Sequence, residues 1–154
     1  MDDSFDEDPI GFFVEDVPSP LPEGASAVLA EWVRTTAAAE GKTTGEISFI
    51  LCSDEYLLHI NQSFLEHDYY TDVITFPYHE TADDPIEGDV YISVERTTEN
   101  AMTAKVAPLH ELCRVVIHGT LHLCGYDDAT PELRQAMHLK ENYYLEKMQP
   151  IWNI

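Results

Sequence analysis

His118-Gly119-Thr120-Leu121-His122-Leu123-Cys124-Gly125-Tyr126-Asp127-Asp128 is the stretch from which the rest of the chain is best read. Side chains four apart on a helix lie one turn above each other, so His118 and His122 aim two imidazoles at one place. Leu109, Leu112, Cys113, Val116 and Ile117 precede them at helical spacing, behind a Pro108 suited to a first helical turn. Gly125 supplies the residue that takes a left-handed conformation and stops the helix. The turn then lets Asp127 or Asp128 come back towards the imidazoles. The local reading is helix, glycine stop and a loop bearing carboxylates, which together seat three ligands.

Working outward, Thr130-Pro131-Glu132 combines a cap, a first-turn proline and an early acid, and predicts a last helix to about Met148, before Pro150. Its Met137, Tyr144, Leu145 and Met148 form the stripe expected to be buried. On the N-terminal side, Ser93 is placed to cap a helix running to about Lys105. Asp72–Tyr78 and Asp89–Ser93 read as short strands that can pair, separated by a polar, proline-containing loop at Glu80–Gly88. Glu46–Cys52 is a further strand, followed by Ser53 as a cap for a helix carrying Tyr56, Leu57, Ile60 and Phe64. Ala25–Glu40 has helical spacing at Val28, Leu29, Trp32, Val33 and Ala37 and stops at Gly41. Ile10–Val17, ended by Pro18, suits an edge strand. Four strands and five helices predict a mixed α/β (α+β) domain over residues 10–154, with residues 1–9 as an acidic tail.

Length and composition agree with one soluble domain: 154 residues, 44% hydrophobic and 24% charged. The longest apolar runs fall far short of the roughly 20 residues a bilayer needs, so no membrane partner is expected. Met1–Pro9 carries five acids and no base, unlike a secretory leader, and the three cysteines have no C-x-x-C pair, so a reducing, cytoplasmic setting is expected. Twenty-nine acids against eight bases give a net charge of −21. Such a surface suits either a salt-rich cytoplasm, where repulsion is screened, or an ordinary acidic protein. It also excludes broad electrostatic attraction to nucleic acid.

The spacing H-x3-H-x5-D matches the H-E-x-x-H-x-x-G-x-x-H arrangement of zinc peptidases, with Gly119 in place of the glutamate base and Asp128 in place of the third histidine. The metal-binding pattern is kept and the peptidase base is absent. Two imidazoles and a carboxylate leave a position open on a tetrahedral ion, the pattern of a catalytic rather than a structural zinc site, and hydrolysis is the natural reaction class. Cys124 should point off the metal face into packing. His59 and His138 read as ordinary helix residues. Tyr69-Tyr70 can stack on unpaired bases.

Taken together, the motifs resemble the YbeY endoribonucleases, whose signature is H-G-x-L-H-L-x-G-Y-D-H; ten of its eleven positions are compatible here. Ile60-Asn61, Thr71-Asp72-Val73-Ile74-Thr75-Phe76-Pro77 and Gly88-Asp89-Val90-Tyr91-Ile92-Ser93 are similar to the family's L-N, T-D-V-L-S-F-P and G-D-I-x-I-S. The resemblance implies a zinc-dependent endoribonuclease specific for single strands. Such an enzyme acts in ribosomal RNA processing, notably 3′-end maturation of the small-subunit RNA, and in ribosome quality control, with the small subunit or its proteins as partners. Carried over by position, the ligands are His118, His122 and Asp128, with Asp127 the alternative. An aspartate for the usual histidine admits a harder divalent metal. The family's usual arginine after L-N is replaced by Leu65, so the catalytic groups beyond the metal are not identified; Arg114 and His67 are the candidate cations, Arg114 also being placed for an ion pair with Glu111. The alternative reading is a ribosome-assembly factor whose metal site is structural or vestigial.

Overall fold

The computed structural model describes residues 8–65 and 71–152. Residues 1–7 of the acidic tail, His67 and the Tyr69-Tyr70 pair lie outside the described residues. In chain order the elements are β1 (Ile10–Val14), α1 (Ala25–Ala39), β2 (Thr44–Cys52), α2 (Asp54–Leu65), β3 (Val73–Pro77), β4 (Ile86–Ser93), α3 (Val94–Ala104), α4 (Pro108–Leu123) and α5 (Pro131–Trp152). The strands form one mixed sheet in the order β1-β2-β4-β3. β1 and β4 each run parallel to β2, and β3 is antiparallel to β4 with Thr75 opposite Val90.

Alternation along the strands divides the apolar residues between two layers. Ile47, Phe49, Leu51, Val90 and Ile92 join the main core with Leu29, Val33, Val116, Ile117, Leu121 and Met148 from the helices. Each such fully buried aliphatic or aromatic side chain contributes about 1.5–3 kcal/mol. Cys52, Leu57, Ile60 and Ile74 form a smaller cluster under α2 on the other face. The buried face expected of the last helix is present: Met137, Tyr144, Leu145 and Met148 are all buried. Trp32 Nε1 donates to the Tyr144 carbonyl at 3.1 Å, tying α1 to α5.

Several boundaries differ from the sequence reading, each for a local reason. β1 ends at Val14 rather than Val17, because Asp16 leaves the strand to accept the Ser53 backbone N–H at 3.0 Å and the Ser53 hydroxyl at 2.6 Å. Ser53 in turn caps α2, accepting the Tyr56 N–H at 3.1 Å. The loop expected over Glu80–Gly88 is shorter, since β4 starts at Ile86, whose N–H bonds to the Thr43 carbonyl at 2.8 Å. Parallel pairing with β2 overrides the polar composition there. α5 runs through Pro150 to Trp152. A proline there removes one ladder bond in the final turn and spares the rest of the helix. The Ser93 cap is as expected, accepting the Arg96 N–H at 3.1 Å, and α3 ends at Ala104 with Lys105 as its left-handed cap.

Candidate metal centre

α4 carries the paired histidines because its inner face is held tightly to the sheet. A Cβ on Gly119 would stand 2.6 Å from Val90 Cγ1, so only glycine allows the helix to lie this close to β4. The position at which zinc peptidases place their base is therefore used for packing. At the other end, Gly125 has φ +107° and the chain reverses through two backbone bonds. Gly125 N–H donates to the His122 carbonyl at 2.9 Å and Tyr126 N–H to the Leu121 carbonyl at 3.1 Å. This is the paired closure typical of a helix ended by a left-handed residue.

The reversal brings Asp128 over the helix. Its Oδ2 lies 3.3 Å from His118 Nε2 and 3.5 Å from His122 Nε2, and the two Nε2 atoms are 3.0 Å apart. The three donor atoms all lie within 4.8 Å of one another. Asp127 is not one of the three, and its Oδ1 accepts the Asp128 N–H at 2.7 Å. Cys124 is partly buried and packs against the main core.

The outer nitrogens decide the tautomers. His122 Nδ1 is 2.9 Å from the Tyr126 carbonyl, which can only accept, so Nδ1 carries the proton. His118 Nδ1 is 2.6 Å from Glu141 Oε2, a carboxylate buried to 5% exposure, and donates to it. Both inner Nε2 atoms of the neutral rings therefore present lone pairs, facing each other and a carboxylate oxygen. Three convergent acceptors with no donor among them repel unless a proton or a cation stands between them. The donor set of two imidazoles and one carboxylate, each imidazole oriented by an outer hydrogen bond, fits a divalent cation of the zinc type. With no cation bound, burial disfavours the His118 imidazolium. The Glu141 hydrogen bond and the charges of Glu141, Asp128 and Asp72 outweigh that cost and raise its pKa above the ordinary histidine value.

A cleft of about 560 Å³ opens on this group, walled by Asp72, Thr75 and Pro77 on the β3 side and by Glu111, Arg114 and Glu141 on the helical side. Burial pushes the Asp72 and Glu111 carboxyls up, outweighing the opposing influence of His118 on the first and of Arg114 on the second, and Glu141 adds to both rises. Arg114 lines the cleft, as its place one turn before His118 implies, but its guanidinium is engaged. It donates to Glu141 Oε1 at 3.0 Å and to Asn142 Oδ1 at 2.7 Å, with Glu111 Oε1 at 3.8 Å. Leu65 ends α2 and is 38% exposed. His138 is exposed and lies 3.4 Å from Arg114. His59 sits on α2, 3.5 Å from Ser63.

Glu141 was not singled out by the sequence reading, although a signal for it exists. It falls four residues after Met137 and three before Tyr144, so it is a carboxylate inside an apolar stripe. A buried acid there requires donors, and His118 and Arg114 are those donors. Glu40, which receives the Tyr126 hydroxyl at 2.6 Å, left no comparable signal.

Comparison with known proteins gives the family of the chain. The profile of the family described as Endoribonuclease YbeY matches residues 18–149. The chain is similar to the "Endoribonuclease YbeY" of Parabacteroides distasonis, with 43% identity over 86% of this chain and 91% of that protein. It is similar also to the "Endoribonuclease YbeY" of Flavobacterium psychrophilum, with 49% identity over 75% of this chain and 81% of that protein. Among solved structures it resembles the solution structure of TM1509 from Thermotoga maritima, with a TM-score of 0.66 and 30% identity, covering 94% of this chain and 91% of the other. The chain belongs to the endoribonuclease YbeY family.

Proposed function

We propose that this protein is a metal-dependent endoribonuclease that cuts single-stranded ribosomal RNA, with one zinc ion held by His118, His122 and Asp128. Its place would be 3′-end maturation of the small-subunit RNA and ribosome quality control, in the cytoplasm, in contact with the small subunit or its proteins. The observation that carries the reading is the convergence of three acceptor atoms within 4.8 Å on a cleft wall, with no donor among them. Among the described residues no helix is long and apolar enough to cross a membrane.

Phosphodiester hydrolysis needs an activated water, relief of negative charge on the phosphoryl oxygens and protonation of the leaving oxygen. A divalent cation, when bound, supplies the first two by lowering the pKa of a coordinated water towards ~7 and polarising the phosphoryl group. The chain's own residues set the stage for this. Glu141 and the Tyr126 carbonyl fix both imidazole rings, and Arg114 holds Glu141 in place while putting a positive charge on the cleft wall. Asp72, Glu111, Asp128 and Glu141 make the cleft acidic, which favours a divalent cation and disfavours bare phosphate. RNA therefore depends on the cation for its footing, in keeping with a net charge of −21.

The experiment compares cleavage of single-stranded and duplex ribosomal RNA fragments by the wild type and by His118→Ala, after chelation and after zinc or manganese is restored. Cleavage confined to single strands, lost on chelation and in the variant, is expected. A second reading, an assembly factor with a structural metal site, is favoured by Leu65 at the family's usual arginine position and by the engagement of Arg114 with Glu141 and Asn142. A wild type that loads metal and cuts no RNA under any of these conditions would establish that reading instead.

A further inference from the structure

Outside the metal cleft, a polar cluster is built on Glu40, the residue that closes α1, 86 positions from Tyr126 in the chain. Its carboxylate is largely buried, with the side chain 9% exposed. It accepts the Tyr126 hydroxyl at 2.6 Å, Lys140 Nζ at 3.1 Å and the Tyr144 hydroxyl. Lys140 Nζ also stands 5.1 Å from the centre of the Tyr126 ring. Three donors from the α4–α5 loop and from α5 thus meet on one acceptor from α1.

Nothing in the metal reading requires this cluster, yet it bears on that site through a single residue. Tyr126 is held at both ends: its phenol is bonded to Glu40, and its backbone carbonyl accepts His122 Nδ1 at 2.9 Å. Two residues later the same loop delivers Asp128. The backbone closure at Gly125 fixes where the loop leaves the helix. A long side chain bonded to a buried acid fixes where it goes next.

We propose that Glu40 is a remote positioning residue of the metal centre, acting through the Tyr126 phenol to hold the carbonyl that orients His122 and the loop that carries Asp128. The proposal rests on the assignment of His118, His122 and Asp128 as metal ligands. Glu40 touches neither metal nor substrate. Its effect is on how well the ligands are placed before the cation arrives, so it appears in metal affinity. Partners one bond out from a metal ligand change affinity by about 10–100-fold when removed. Glu40 and Tyr126 act one bond further out or through a single hydroxyl, and about tenfold is expected for each.

The test measures zinc dissociation constants by competition with a chromophoric chelator for the wild type, Tyr126→Phe, Glu40→Ala, Lys140→Met and the Tyr126→Phe/Glu40→Ala double variant, together with melting temperatures in excess chelator. Tyr126→Phe removes one hydroxyl at a half-exposed site and keeps the ring, so folding is retained. The expected result is a loss of about tenfold in zinc affinity in Tyr126→Phe, a similar loss in Glu40→Ala, and a double variant no weaker than Glu40→Ala alone. Lys140→Met, which leaves the Tyr126–Glu40 bond in place, loses less zinc affinity than Tyr126→Phe, and an equal or greater loss overturns the route through the phenol. A Tyr126→Phe variant that binds zinc as the wild type does overturns the proposal, even if Glu40→Ala melts earlier in chelator, since that outcome marks a purely structural tie. A wild type that binds no zinc overturns the ligand assignment itself, and the two failures are told apart by the wild-type measurement.

Discussion

Gly119 and Glu141 show how much of the site depends on single side chains that bind nothing themselves. Substituting Gly119 by alanine puts a methyl group 2.6 Å from Val90 Cγ1, against a residue fully buried in β4. Overpacking of this kind costs about 1–3 kcal/mol, and a urea titration should show the midpoint falling with the slope unchanged. Glu141→Gln keeps the shape but removes the charge that faces both His118 and Arg114, and zinc affinity measured by chelator competition should fall by about 10–100-fold. At this scale the convergence of His118, His122 and Asp128 could be read from the sequence, because two helical histidines, a glycine stop and an acid are all local features. Glu141 could have been found by asking why an acid interrupts an apolar stripe. Glu40 could not, since its three donors come from residues about ninety to a hundred positions away and no spacing rule links them.

Among the elements, helix starts were the most legible, since Ser53 and Ser93 cap α2 and α3 through hydrogen bonds, and Gly125 ends α4 at a positive φ, whereas Pro150 does not stop α5. The start of β4 was not, because Ile86-Glu87-Gly88 becomes a strand only by pairing with β2 and β3, which local composition does not encode. The tie between α1 and α5 also has a pH signature. Burial works against the charged form of Glu40, but hydrogen bonds from Tyr126, Tyr144 and Lys140 and the Lys140 charge outweigh it, holding its carboxyl below the ordinary value of 4.5. A group with a depressed pKa adds stability above its unfolded value and loses it as pH falls through the folded one. The stability difference between wild type and Glu40→Gln, followed by denaturant titration at several pH values, should therefore be full above about pH 5 and shrink as the solution is acidified below about 4.5.

For the molecule as a whole, a net charge of −21 means that like charges oppose folding in dilute buffer. Screening shortens the reach of that repulsion to roughly 3 Å at 1 M salt, so the melting temperature should rise between ~50 mM and ~2 M KCl, and a flat profile would show the acids to be well dispersed. Mixed topology and core membership followed from the strand and helix pattern, whereas the order β1-β2-β4-β3 came from long-range pairing alone. The reversal at Gly125 has an effect on thermodynamic linkage. All three proposed donors fall within eleven consecutive residues, so the denatured chain retains a short chelating fragment. Zinc would then associate with unfolded as well as folded molecules, and its stabilising effect would be smaller than the native dissociation constant alone implies. On the proposed ligand assignment, Glu141 and Glu40, contributed from distant parts of the chain, would make the native form the better chelator.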